Sequence, residues 1–519
     1  MPMKRITTSE EAVNCIQDCH TIAVGGASGY AVPEKLLEAL GKRFRETGHP
    51  RDLTLVHVFG VGNQCDKGLE HLAQPGLFRR VVGGHWSMAP SMARLAAEDV
   101  FEAYNLPAGV MEHLYGAAAA GRPGITTPVG LHTFVDPRLE GGKLNSRATE
   151  DLVEVTVCDG EEYLFYKVIP IDIALIHASE SDTAGNLGMS QNAGFWHNTD
   201  LAQAAKATGG STLAVTCKLV DSGVIHPRDV RVPGCFVDAV VVDPDQKQHY
   251  ELDFDPTLTG DAVKAESEFR DFPFGVRKVI ARRAALELTP GAILNVGFGV
   301  ADGVVKIARE QGLADTLTPT IEHGQFGGIP AEGLLFGGMY NARAILGSPH
   351  MFSFYHGCGV DQAYLGFLQV DREGNVNVSK LASSIIGTGG FIDIAQRARK
   401  LIFCGSLAVR AETELSSGGV RFVNHGRPKF VEKVDQITFS ARFARQSGQE
   451  VLYVTEAAVF RMTDDGVRLE EIAPGVDFDT DIVPQLGFKP IVAETVRTMP
   501  LELFTGDLLP RRLFSHYGG

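Results

Sequence analysis

Apolar positions along the chain come in short runs that end at glycine. Thr21 to Val24 forms one such run, GGASG turns the chain, and in AVPEKLLEAL the leucines return at helical spacing. Apolar run, glycine turn and amphipathic helix are the grammar of an open α/β layer. The unit recurs later: Ile293 to Val296 reads as a strand, Gly297-Phe298-Gly299 as the turn and Val304 to Arg309 as the helix. In RKVIARRAALEL, the residues Val279, Ile280, Ala284 and Leu286 supply the apolar stripe of another amphipathic helix. Near the start, Thr7 or Thr8 followed three residues later by Glu10 or Glu11 predicts a capping-box helix.

A second regularity divides the chain. PIDIALIHASESDTAGNLGMSQ superposes on GVDQAYLGFLQVDREGNVNVSK without a gap, at an offset of 189 residues set by Asp172 on Asp361. Asp182 then falls on Asp371, Gly185 on Gly374, Asn186 on Asn375 and Ser190 on Ser379. A fixed register of this kind indicates duplicated architecture. ATGG at 207–210 echoes GTGG at 387–390 at a shorter offset. Between the copies, residues 252–274 are acidic, contain Pro and Gly and lack periodicity, as a surface linker would. The expected domains are 1–275 and 276–519, both α/β, with an insertion in the first from about Gly60 to Asn145.

Composition narrows the function. With 44% apolar and 21% charged residues in 519, the chain has ample material for two buried cores. The formal charge of −15 comes without a basic run, which disfavours nucleic-acid binding. No signal-like leader or membrane-length apolar stretch is present, so a cytoplasmic protein is expected. The eight cysteines form no CxxC pair and read as reduced thiols, and no His, Cys or acidic cluster has metal spacing.

Chemistry is suggested by PTIEHGQFGGIPAEGLLFGG, where Glu322 follows a short strand and precedes a run of glycines that lets backbone approach a ligand. Glu322 is the candidate nucleophile. Alone, the segment also fits a turn whose acid caps a helix. Gly387, Gly389 and Gly390 of GTGGF add backbone amides that can stabilise an oxyanion, each worth about 3 to 4 kcal/mol. Gly297 and Gly299, ahead of a helix, form a second candidate anion site. His57, His71, His85, His113, His132, His323 and His356 are scattered and read as structural, and Cys358 as a small buried thiol. GxSxG, Walker A and HExxH motifs are absent.

Together with GGASGYAVPEKLLEAL, SESDTAGNL, HPRDVRVPGCFVDAVVV and EEIAPGVDFDTDI, these segments resemble, in order, the family I CoA-transferases of the single-chain acetate, propionate or short-chain acyl-CoA branch. The resemblance implies two similar open α/β domains with the site in the cleft between them. It implies transfer of CoA between small carboxylic acids by a ping-pong reaction through a glutamyl-CoA thioester on Glu322. Coenzyme A is then substrate and covalent intermediate, with no metal or permanently bound cofactor, and homo-oligomers, often tetramers, are usual. Gly387, Gly389 and Gly390 map onto the family's oxyanion segment. His323 and Gln325 stand where small or apolar residues are more usual, and Ala108 where glutamine often faces the acyl group, so these three are candidates for the acyl pocket. An acyl-CoA hydrolase or a non-catalytic acyl-CoA-binding protein on the same fold are the rival readings.

Overall fold

The computed structural model describes residues 5–416 and 418–517. Strand Thr21–Val24 occupies the middle of a ten-stranded sheet. Leu53–His57, Phe78–Gly83 and Glu102–Asn105 lie to one side of it, with Ile173–Asp182, Ser211–Val220, Ala239–Val242 and Arg5–Thr7 to the other. Every pairing along that path is parallel. Ile293–Val296 has the same place in a second ten-stranded sheet, between Thr318–Ile321 on one side and Gln362–Gly366, Lys400–Cys404 and Glu450–Val454 on the other. These central pairings are parallel too. A sheet in which the first strand lies between its successors has a switch point, and the crevice at the carboxyl ends of its strands is where such folds bind ligands. The expected α/β class with two similar layers is the one found.

The duplication is carried by identical hydrogen bonds. Asp172 accepts from the Thr21 amide at 2.7 Å, and Asp361 accepts from the Ile293 amide at 2.9 Å, so each aspartate ties the sheet's middle strand to its neighbour. Asp182 Oδ1 accepts the amides of Ala184 and Asn186, and Asp371 Oδ1 those of Glu373 and Asn375. Both turns need a glycine in the left-handed region, Gly185 at φ +83° and Gly374 at φ +95°. The offset of 189 persists to the strands beginning at Ser211 and Lys400. The ATGG echo is therefore coincidental: 207–210 closes helix Asn198–Ala207, whereas 387–390 precedes helix Phe391–Ala395.

Other expectations need correction. The segment from Gly60 to Asn145 is built into the fold, because it supplies two parallel strands of the first sheet, Phe78–Gly83 and Glu102–Asn105, and helices Pro90–Ala97 and Ala108–Ala119. Helix Val276–Ala285 buries Lys278, Arg282 and Arg283 as well as its apolar stripe, leaving Arg277 exposed. Arg283 is held by Glu471 at 2.7 and 3.1 Å and by Glu287 at 2.8 Å, which explains how a guanidinium is tolerated inside. Cys358 is exposed, and the eight cysteines are unpaired. The expected capping box is only half formed: Thr8 is the N-cap, its hydroxyl accepting from the Glu11 amide, while the Glu11 carboxylate accepts from the Thr7 hydroxyl.

One continuous apolar cluster joins the halves, running from Ala174 and Ile176 through Phe59 and Phe352 to Leu401 and Ile402. No helix among the described residues is long and apolar enough to cross a membrane.

Candidate active site

Glu322 is the first residue beyond strand Thr318–Ile321, at the carboxyl edge of the second sheet. The chain reverses at once: Gly324 donates to the Ile321 carbonyl, and Gln325–Phe326 returns antiparallel. Gly324, at φ +116°, leaves no room for a Cβ against the Leu346 carbonyl. The segment is thus a tight turn, as its sequence alone suggested, and it also projects an acid into the cleft. Beneath it, Thr320 Oγ1 and Asn295 Nδ2 share the Tyr355 hydroxyl at 2.9 and 3.0 Å, which fixes the strand end.

The carboxylate lies in a cavity of about 440 Å³ between the halves. Phe59, His85 and Met88 come from the first half, and Phe298, Phe336, Phe367 and Phe391 from the second. Among the described lining residues Glu322 is the one carboxylate, and none is Lys or Arg. A fifth of the Glu322 side chain (21%) is open to the cavity. Burial, and then the nearby charge of Asp393, push its pKa up to about 8, against the opposing hydrogen bond from the Gly390 amide. Burial lowers both His323 and His85 to about 4, so both imidazoles are neutral. Glu112 is raised well above the carboxylate range by burial and His197 is lowered to about 4, so their 3.0 Å contact is a neutral hydrogen bond.

Of the expected glycine donors, Gly390 alone presents its amide to Glu322; the space a Cβ would fill is taken by Glu322 Oε2. The amides of Gly387 and Gly389 are committed to the carbonyls of Ser379 and Gly84 at 3.0 and 2.8 Å, and that of Thr388 to Asn105 Oδ1 at 3.0 Å. The GTGG segment is therefore a seam locking the two halves together, and this use of its backbone was not legible in the spacing. Gly297 lines the cavity, but its amide is bonded to Tyr364. Gly299 lies off the cavity lining, and its carbonyl accepts from Arg277 at 2.7 Å. The helix beyond starts only at Gly303, whose amide and that of Val304 turn back to Val300 and Ala301, so the expected anion site is not formed there.

Of the acyl-pocket candidates, only His323 lines the cavity. Gln325 is fully buried and bonds the carbonyls of Ala193 and Gly337 at 2.9 and 3.2 Å. Ala108 is also fully buried, and its amide donates to the Gly389 carbonyl at 2.9 Å. Missed in the sequence were Asp393, whose Oδ2 accepts from Gly109 while Oδ1 lies 2.7 Å from His356 Nε2, and His85. The signal for His85 is its position after a double glycine at a strand end, like Glu322 on the opposite side. No group of three or more His, Cys or acidic residues among those described could hold a metal ion.

Comparison with known proteins agrees with this geometry. The family model for coenzyme A transferase matches residues 6–243. The acetate CoA-transferase YdiF of Escherichia coli K12 is 42% identical over 96% of this chain and 95% of its own. Caffeate CoA-transferase of Acetobacterium woodii is 38% identical over 97% and 98%. The crystal structure of the acyl-CoA transferase YdiF apoenzyme from E. coli O157:H7 superposes with a TM-score of 0.93 at 41% identity, covering 98% of this chain and 97% of that one. A thioester complex of the same enzyme with CoA gives 0.92 at 40%, with the same coverage. The chain belongs to the coenzyme A transferase family.

Proposed function

We propose that the protein transfers CoA from an acyl-CoA donor to a monocarboxylic acid by a ping-pong route through a glutamyl-CoA thioester on Glu322. The Glu322 carboxylate attacks the donor thioester carbonyl, and the C–S bond breaks to give an acyl-glutamyl anhydride and CoA thiolate. The thiolate then attacks the glutamyl carbonyl, releasing the donor acid and leaving CoA on the enzyme. The acceptor acid reverses both steps. Thioester energy is conserved, so the scheme needs no nucleotide triphosphate. The observation that carries the proposal is a single carboxylate at a strand end inside an apolar cleft, with one backbone amide, that of Gly390, directed at it. Desolvation strengthens such a nucleophile, and that amide can hold the oxyanion formed when the glutamyl carbonyl is attacked. The CoA thioester complex of the E. coli relative supports a covalent CoA intermediate of the same kind.

The absence of Lys or Arg from the described lining supports monocarboxylates over dicarboxylates, since a second carboxylate would be desolvated without a partner. Cytoplasmic location and homo-oligomeric assembly enter the proposal on the family resemblance. The test is incubation with an acyl-CoA followed by mass spectrometry of the peptide bearing Glu322. A mass increase of CoA less water is expected, lost in E322Q, and the adduct should discharge as a new acyl-CoA only when acid is added; discharge to free CoA in water alone would favour hydrolysis.

A further inference from the structure

His323 is adjacent to the nucleophile in sequence and on the cavity wall in space, and its ring is held in one orientation. Nδ1 lies 3.1 Å from the Gly337 carbonyl. A carbonyl only accepts, so Nδ1 carries the hydrogen of the neutral ring and Nε2 keeps its lone pair. The Phe59 ring stands edge-on at 4.5 Å and 84°, and a Cβ on Gly337 would press on the imidazole at 2.9 Å. Nε2 therefore faces Glu322 Oε1, 3.8 Å away. Catalytic hydrogen bonds of this kind are often long before substrate arrives and tighten afterwards.

We infer that His323 Nε2 relays a proton between the Glu322 carboxyl and the exchanging carboxylic acid. This rests on Glu322 being the nucleophile. The step balances when it is concerted: the Glu322 O–H bond breaks and Nε2–H forms as the electron pair left on oxygen attacks the thioester carbonyl, so that the imidazolium arises only together with the CoA thiolate. The imidazolium then donates Nδ1–H to Gly337 and Nε2–H toward the reacting carboxylate. When CoA thiolate displaces the donor acid, that carboxylate takes the proton from Nε2 and leaves as neutral RCOOH. In the second half-reaction the acceptor enters as R′COOH, gives its proton to Nε2, and Glu322 recovers it as R′CO–SCoA departs. Neutral acids crossing the wall suit a cavity whose described lining lacks any cation. The other titratable groups facing this pair are Asp393 and Glu112 from the helices behind Glu322, Tyr355 beneath it, and His85 and His197 beside His323. Asp393 is occupied by His356 and Gly109, while Glu112 meets His197 and Ser348 through Oε1 alone and, raised well above the carboxylate range by burial, already holds a proton of its own. Neither is free to take the proton.

The test is H323N, which can keep the donor to Gly337 and lacks the basic nitrogen. Its kcat should fall about 100-fold near pH 6, with the deficit shrinking toward about threefold near pH 9, where Glu322 ionises without help. A deficit equal at every pH, or none, overturns the relay. H323A assayed with and without added imidazole is the second arm: restoration by imidazole supports the relay, and failure to restore counts against it. Wild-type enzyme is checked in parallel for the CoA adduct on the Glu322 peptide. No adduct removes the nucleophile reading itself; an adduct with pH-independent behaviour in H323N removes only the relay.

Discussion

Gly390 and Glu322 compete for the same space: the carboxylate oxygen Oε2 occupies the position a Cβ on Gly390 would need. The neighbouring Phe352 ring, 2.9 Å from that position, blocks the alternative of moving the helix outward. G390A should therefore push the carboxylate off the amide that faces it. We expect kcat to fall by about 100-fold or more, in the range found when an oxyanion donor is removed. Steady-state kinetics with circular dichroism checks this, and wild-type kcat in a folded G390A protein would show that the contact has no part in catalysis.

Glu322 also carries a stability cost with a definite pH sign. Its folded pKa of about 8 lies above the ordinary carboxyl value of 4.5. Between those values the folded chain holds a proton that the unfolded chain has released, so this group's contribution is fully present below pH 4.5 and is lost as pH rises through 8. E322Q cannot ionise and escapes the loss. Near pH 4.5 the two proteins should unfold at similar denaturant concentrations. Near pH 8.5 E322Q should be more stable by about 2 kcal/mol, allowing for the part of the side chain facing the cavity. Equal stabilities at both pH values would mean that the carboxyl is not desolvated in the fold.

How much of this was legible in sequence depends on the kind of contact. The strand-turn-helix units and the Asp172/Asp361 register could be read because each is a local or duplicated pattern, and the Asp pair makes the same amide bond in both halves. Glu322 could be placed at a strand end for the same reason. The roles of GTGG and Ala108 could not, because they pair across the halves: Gly389 with Gly84, Thr388 with Asn105 and Ala108 with Gly389. A glycine spacing announces close backbone approach without saying to what. Asp393 was hidden in the same way, since its partners Gly109 and His356 come from helices far apart in the chain.

Asp393 is fully buried, and its charge is the first like-charge cause holding the Glu322 carboxyl up. D393N keeps the shape and removes the charge. Combined with H323N, in which Glu322 must ionise unaided, it should move the rising limb of kcat/KM with pH about one unit toward acid. Titrating the rate of CoA-adduct formation gives the same midpoint independently of acceptor binding. A midpoint that stays in place would mean that Asp393 serves the fold alone.

Acid choice follows from what lines the cavity. Each methylene buried against Phe59, Phe298, Phe336 or Phe367 contributes about 0.8 kcal/mol, so kcat/KM should rise about fourfold per carbon from acetate toward butyrate until the space is filled. Succinate has the same four-carbon backbone as butyrate, with a second carboxylate in place of the methyl end. Inside, that charge would meet apolar walls with no Lys or Arg among the described lining residues. An unpaired ion in such surroundings costs several kcal/mol, so butyrate should be preferred over succinate by about a thousandfold. M88K, which sets an amine on the wall contributed by the first half, should narrow that ratio chiefly by raising the rate with succinate. Competition assays with paired acids measure the ratio directly. Succinate used within tenfold of butyrate by the unaltered enzyme would mean that a cation reaches the acyl group from outside the described lining, and the monocarboxylate reading would fall.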